Sequence, residues 1–72
     1  MVITEIVFIG IVMNAGTPCP QVRAEDGRVV QATGLSSTIN SGDHVRITGK
    51  MRYSFSCQAE VLAVLSAEKM AQ

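Results

Sequence analysis

The chain has no tryptophan, one histidine and three aromatic rings, Phe8, Tyr53 and Phe55. So few rings leave no material for a broad base-stacking platform. An excess of one charge is missing too. Four Arg and two Lys balance two Asp and four Glu, for a formal net charge of zero. That balance excludes a protein that coats nucleic acid through bulk charge. The longest apolar run, Ile6 to Met13, is too short to span a bilayer, and no membrane partner is expected. Glu5 precedes it and no Lys or Arg appears before Arg23, unlike the basic start of a secretory signal. Thr17-Pro18 ahead of Cys19 is a poor match to a lipoprotein cleavage site. The run therefore reads as a long first strand, with the cytoplasm as default location.

Catalytic material is equally scarce. The two cysteines form no C-x-x-C, and with His44 they fit no zinc-finger spacing, so neither dithiol redox chemistry nor a metal is expected. Ser36, Ser37 and Thr38 lie near Asn40, but one His gives no convincing nucleophile–base–acid order. Glu25 and Asp26 sit where a turn is expected, and the scattered glycines make no phosphate-binding loop. The expectation is a protein without enzymatic activity and without a cofactor.

What is present is strand patterning. Asn40-Ser41-Gly42 is a turn sequence, and the alternation behind it is clean. Val45, Ile47 and Met51 fall on one face; His44, Arg46, Thr48, Lys50 and Arg52 fall on the other. Gly49 interrupts the apolar face, as happens where a strand coils sharply or another backbone comes close. The first strand, Val2 to Asn14, is apolar on both faces with Gly10 in its middle, a pattern that suits a bent strand serving two sheets. Gln21–Ala24 and Arg28–Ala32 flank Glu25-Asp26-Gly27, a strong hairpin signal. Thr33 to Ser41 is a polar connector, a loop or one helical turn, with Leu35 and Ile39 as plugs. The fourth strand runs from His44 to about Tyr53. Ala59 to Leu65 has helix-favouring composition, yet it lacks the usual N-cap and alternates well enough for a fifth strand. Residues 68–72 read as a frayed tail.

Seventy-two residues and 47% apolar composition make one folded domain, residues 1–72, of marginal size. Five short strands, a central hairpin and a connector between the third and fourth describe an all-β, OB-like five-stranded small barrel. An SH3-like barrel is the alternative, and it explains the long first strand less well.

GIVMNAGTPCPQVRAEDGRVV, SGDHVRITGKM, and Ser56-Cys57 ahead of an apolar last strand resemble a group of small bacterial OB-fold proteins of unassigned function. The shared pattern is a Gly-containing first strand, a Cys-Pro step, an Asp-Gly hairpin, a Gly-Asp-x-Val-x-x-x-Gly strand and a second Cys. It covers Gly10 to Leu65. The resemblance implies the fold and a pairing of Cys19 with Cys57, and it implies no activity. Many of those relatives carry an export signal that this chain lacks, which leaves the periplasm open beside the cytoplasm.

Four sets of residues are candidates for function. Cys19 and Cys57 each adjoin a turn, and in an OB-like barrel the two loops point toward one end; the readings are a disulfide, or two reduced thiols serving as small apolar residues. A thiol-dependent role is the weakest functional reading. Arg46, Lys50, Arg52 and Tyr53, extended by Arg23 and Arg28 from the hairpin, could bind a single-stranded nucleic acid or an oligosaccharide. The alternative is a solvated face that discourages aggregation, with Tyr53 and Phe55 as barrel plugs. Surplus apolar residues on the first and last strands (Phe8, Val12, Leu62 and Val64) suggest an interface for self-association. The favoured reading is a non-catalytic binding or interaction module, with homo-oligomerisation as its simplest form.

Overall fold

The computed structural model describes residues 4–70. Five strands form: β1 (Ile6–Met13), β2 (Gln21–Arg23), β3 (Val29–Thr33), β4 (His44–Ser54) and β5 (Ala59–Lys69). They close into one ring in the order β1-β2-β3-β5-β4, with β4 returning to β1. Every seam is antiparallel except β3–β5, which is parallel. The all-β expectation holds, and the connector from Gly34 to Asp43 contains turns and no helix.

β1 serves two neighbours. Ile6 to Ile11 pair with β4, while Ile11 to Met13 pair with β2. Gly10 stands at the changeover, where an added Cβ would run into the Arg23 carbonyl of β2. Gly49 is its counterpart on β4: a Cβ there would meet the Ala63 carbonyl of β5. Both glycines are required by backbone approach, one of the two readings the sequence allowed for Gly49; Gly10 was expected as a bend. Asn14 then takes a left-handed φ of 57° and ends β1. Of the expected first strand, Val2 and Ile3 lie outside the described residues.

β5 is longer than expected. Thr48 pairs with Ser66 but Gly49 pairs with Val64, so Leu65 is an extra residue in β5. The bulge changes the phase of the alternation. Leu62 and Val64 turn to the core before it, and Ala67 after it. That phase change made the strand look finished at Leu65. Glu68 and Lys69 are paired with Arg46 and Val45, and the Met70 N–H donates to the His44 carbonyl at 2.7 Å. The tail expected to fray from residue 68 is thus strand through Lys69; residues 71–72 lie outside the described residues.

The interior holds Val12, Val22, Ala32, Val45, Ile47 and Leu62, with Ile39 plugging one end and Leu35 packed against them. Phe8, Val30 and Val64 fill around this group. β-Branched residues dominate, as a pleated and tightly coiled wall requires. Met51, expected on the same apolar face, lies toward the exposed end of β4.

Two turns fix the ring's corners. In the hairpin between β2 and β3, Gly27 takes φ 92° and its N–H donates to the Ala24 carbonyl at 3.0 Å. The Asp26 carboxylate accepts from the Arg28 backbone N–H at 3.0 Å and from Arg28 Nε at 2.7 Å. Before β4, Asp43 Oδ2 accepts from the Asn40 N–H at 2.8 Å and faces Lys69 Nζ at 3.3 Å. Gly42 N–H then donates to the Val12 carbonyl at 2.8 Å, which ties this turn to β1. Both carboxyls sit below the usual aspartate range, Asp26 because the Arg28 backbone N–H bonds it and Asp43 because the Asn40 N–H does.

Two outcomes are expected. Gly10→Ala and Gly49→Ala should each lower stability in urea by about 1–3 kcal/mol through forced backbone displacement. Gly16→Ala, where a Cβ meets nothing within 4 Å, should change it by less than about 0.5 kcal/mol. Equal effects at all three sites would contradict the closure argument. The second concerns pH. Because the folded Asp26 and Asp43 titrate below the ordinary 3.8, their stabilisation is complete above that value and erodes as pH falls below it. Urea midpoints between pH 5 and 2 should therefore fall, and Asp43→Asn should flatten part of that slope.

Candidate functional site

β4 presents His44, Arg46, Thr48, Lys50 and Arg52 on its outer face, as its alternation predicted, but they are not one free cationic stripe. Arg46 Nη2 is bonded to Glu68 Oε1 at 2.7 Å across the β4–β5 ladder. The expected extension from the hairpin also fails. Arg28 is held by Asp26 and lies 5.7 Å from the centre of the Phe8 ring. Arg23 pairs with Ile11, which pairs with His44. Lys50 is six residues further along β4, roughly 20 Å at about 3.4 Å per residue. Among the described residues, Lys50 and Arg52 have no carboxylate partner.

Those two cations adjoin the chain's exposed aromatics. Tyr53 is 54% exposed and Phe55 88%, so neither is a barrel plug. Their rings meet edge to face, with centroids 5.2 Å apart and planes at 78°. Such pairs are favourable beyond area burial, but a ring left this open has most of its apolar surface in water. The strand carries Tyr53 to the end of the β4–β5 hairpin, and the turn beyond it carries Phe55. Gln58 closes that turn with φ 56°, and the Cys57 N–H donates to Ser54 Oγ at 3.2 Å.

Cys57 is bonded to Cys19, with Cα atoms 5.9 Å apart and a sequence separation of 38. The bond joins the β1–β2 loop to the β4–β5 turn. On the chain-entropy account a loop of this length stabilises by about 4 kcal/mol, a large share for a small domain. Of the two readings of the cysteines, the disulfide is the one found, and no free thiol is present among the described residues.

An open crevice of about 510 Å³ lies where the bridged segments meet. Arg52, Tyr53, Phe55 and Cys57 line one side, Pro18 and Thr33 the other, and Val61 and Ala63 of β5 the floor. The lining mixes the apolar side chains of Pro18, Val61 and Ala63 with the hydroxyls of Thr33, Tyr53, Ser54 and Ser56 and the Arg52 guanidinium, in comparable measure. Pro18 and Thr33 were not expected here. The signal was in the sequence: once Cys19 is bonded to Cys57, Pro18 and Phe55 must be neighbours of one bridge.

Of the residues expected at an oligomer interface, Val12 and Leu62 are closed to one, and Phe8 and Val64 are half-buried. Val12 and Leu62 are fully buried, and Phe8 and Val64 pack against the core. The bend of β1 and the bulge of β5 turn them inward. The surplus apolar surface exists, but Val7, Ile9 and Leu65 carry it. Ser36 Oγ and Thr38 Oγ1 are bonded to each other at 3.0 Å, which is turn chemistry. No helix among the described residues is long and apolar enough to cross a membrane. No protein-family model, no curated protein and no solved structure matches the chain.

Proposed function

We propose that the chain is an OB-type barrel acting as a non-catalytic binding module, with the crevice beside Tyr53 and Phe55 as its contact surface. The ring order, with its parallel β3–β5 seam and a first strand shared by two neighbours, supports the OB type over the SH3-like alternative. One observation carries the functional reading: two aromatic rings are held open to solvent at a covalently anchored turn, next to an unpaired Arg52. A ring that contributes nothing to the core is a natural stacking surface for a planar or apolar ligand face.

Of the two ligand classes that suit such a surface, an oligosaccharide is favoured over a single-stranded nucleic acid. A nucleic acid needs a cation track along its phosphates, and Arg46 and Arg28 are already paired. The disulfide also favours an oxidising compartment over the cytoplasm expected from the N-terminus, and thus a glycan-rich surrounding. Tyr53 is the one tyrosine and there is no tryptophan, so its emission reports the site directly. Titration with a neutral hexasaccharide and with an oligogalacturonide should change that emission saturably. Phe55→Ala should weaken binding about tenfold or more, in line with about 1–3 kcal/mol per stacked ring. Binding of oligo-dT that falls steeply with salt would select the nucleic-acid class. No response to any of the three at millimolar concentration would remove the crevice as a binding surface.

Self-association is a second reading, supported by Val7 and Leu65, each 57% exposed on the outer side of the β1-β4-β5 sheet. Light-scattering mass should then rise with concentration, persist in high salt, and return to the monomer value in Val7→Lys. A monomer at millimolar concentration would end this reading.

A further inference from the structure

The ring is closed unevenly. β4 and β5 pair along their whole lengths, from Val45–Lys69 to Ser54–Ala59. β3 and β5 are in register only at Ala32–Leu62 and Thr33–Ala63. This parallel seam is the shortest in the ring, and parallel pairing is slightly weaker per residue than antiparallel. The chain has no continuous connection beside it, because β3 and β5 are separated by β4 and two loops. The seam divides the ring into the β1-β2-β3 meander and the β4–β5 hairpin, which remain joined through β1 and β4.

The disulfide sits over that seam. Cys19 belongs to the meander and Cys57 to the hairpin. Thr33 and Ala63, one of the seam's two pairs, line the same crevice as Cys57 and Pro18. Both cysteines are half-buried, not sealed in the core, so a reductant has access. Val61 and Leu62, both fully buried, lie beside and within the seam on β5.

We propose that Cys19–Cys57 is a redox clamp on the β3–β5 seam. Oxidised, it holds the ring closed and the crevice formed. Reduced, the seam opens, the two walls of the crevice part, and the β1–β4 junction and the β4–β5 hairpin persist. The reaction is thiol–disulfide exchange with a dithiol. Its thiolate attacks one cysteine sulfur, the Cys19–Cys57 bond breaks, and the resulting mixed disulfide is resolved by the second thiol. The protein gains two electrons and two protons as two thiols, and the dithiol leaves as a disulfide. Regulation of the proposed contact surface follows from this clamp and rests on the crevice reading, whereas the clamp itself does not.

Native-state amide hydrogen exchange tests the clamp without any ligand. Three samples are compared: the oxidised protein, the protein held in excess dithiothreitol, and the Cys19→Ser, Cys57→Ser double variant. Among Gln31–Gly34 and Val61–Val64, the amides that donate across the β3–β5 seam should lose about a hundredfold or more of their protection in the second and third samples, whereas that of Ala32, which donates to the Pro20 carbonyl within the meander, should not. Those of Ile6–Ile11 and His44–Gly49 should lose less than about tenfold. A uniform but incomplete loss across all strands would mean that the bond acts on global stability alone and would overturn the proposal. Unchanged protection at the seam would overturn it as well. If reduction abolishes all protection, exchange is repeated on the double variant in 1 M sodium sulfate, which strengthens burial; uniform protection there also overturns the clamp. A crevice that binds no saccharide leaves this result untouched, so the two readings fail separately.

Discussion

Five strands close on themselves only when they tilt and coil until neighbouring backbones nearly touch, since so small a ring has little circumference to distribute its curvature. Everything else in this molecule follows from that closeness. At Gly10 the backbone of β2 occupies the space a side chain would need, and at Gly49 the backbone of β5 does. The β5 bulge lies directly across from Gly49 and adds twist where a regular strand would be too flat. The glycines and the bulge are one device in three parts. Each alone would leave the ring either clashing or open.

The same closeness limits what can go inside. A narrow interior accepts valine, alanine and one layer of larger aliphatics, and it does so with Val12, Val22, Ala32, Val45, Ile47 and Leu62. Nearly half the chain is apolar, so the remainder must lie outside. Some of it is tolerable scatter of the kind any small protein shows. Tyr53 and Phe55 are different, because the turn that carries Phe55 and follows Tyr53 is fixed by a covalent bond to another part of the ring. A rigid mount for an exposed ring would lower the entropy lost when a ligand stacks on it, which supports the proposed contact surface more than isolated exposure does.

How far the residues foretell this arrangement depends on whether the governing contact is local. Alternation in β4, the Asp-Gly turn and the two closure glycines depend on neighbours in sequence or on backbone approach, and they are legible. The end of β5 is not, because a bulge at Leu65 reverses the inside–outside phase and only pairing with β4 shows that the strand continues. The surplus apolar set is misread for the same reason: with two-faced strands, Phe8, Val12, Leu62 and Val64 are as good candidates for the outside as Val7, Ile9 and Leu65 until the bend and bulge assign the faces. The basic stripe is legible as a face, but the pairing within it is not, since the partner of Arg46 is Glu68, twenty-two positions away. The site is legible in its parts, Arg52, Tyr53 and the two cysteines, and illegible as a crevice, because Pro18 and Thr33 reach it through tertiary contact.

The position of the disulfide is the last consequence of closure. The shortest seam of the ring joins two strands whose pairing spans two residues on each. A crosslink outside the ladder binds the meander to the hairpin without altering the register of any strand, with one anchor in the β1–β2 loop and the other in the β4–β5 turn. Those loops also frame the crevice. The proposed clamp and the proposed contact surface coincide because both lie where two separately built halves of the ring meet, beside its shortest seam.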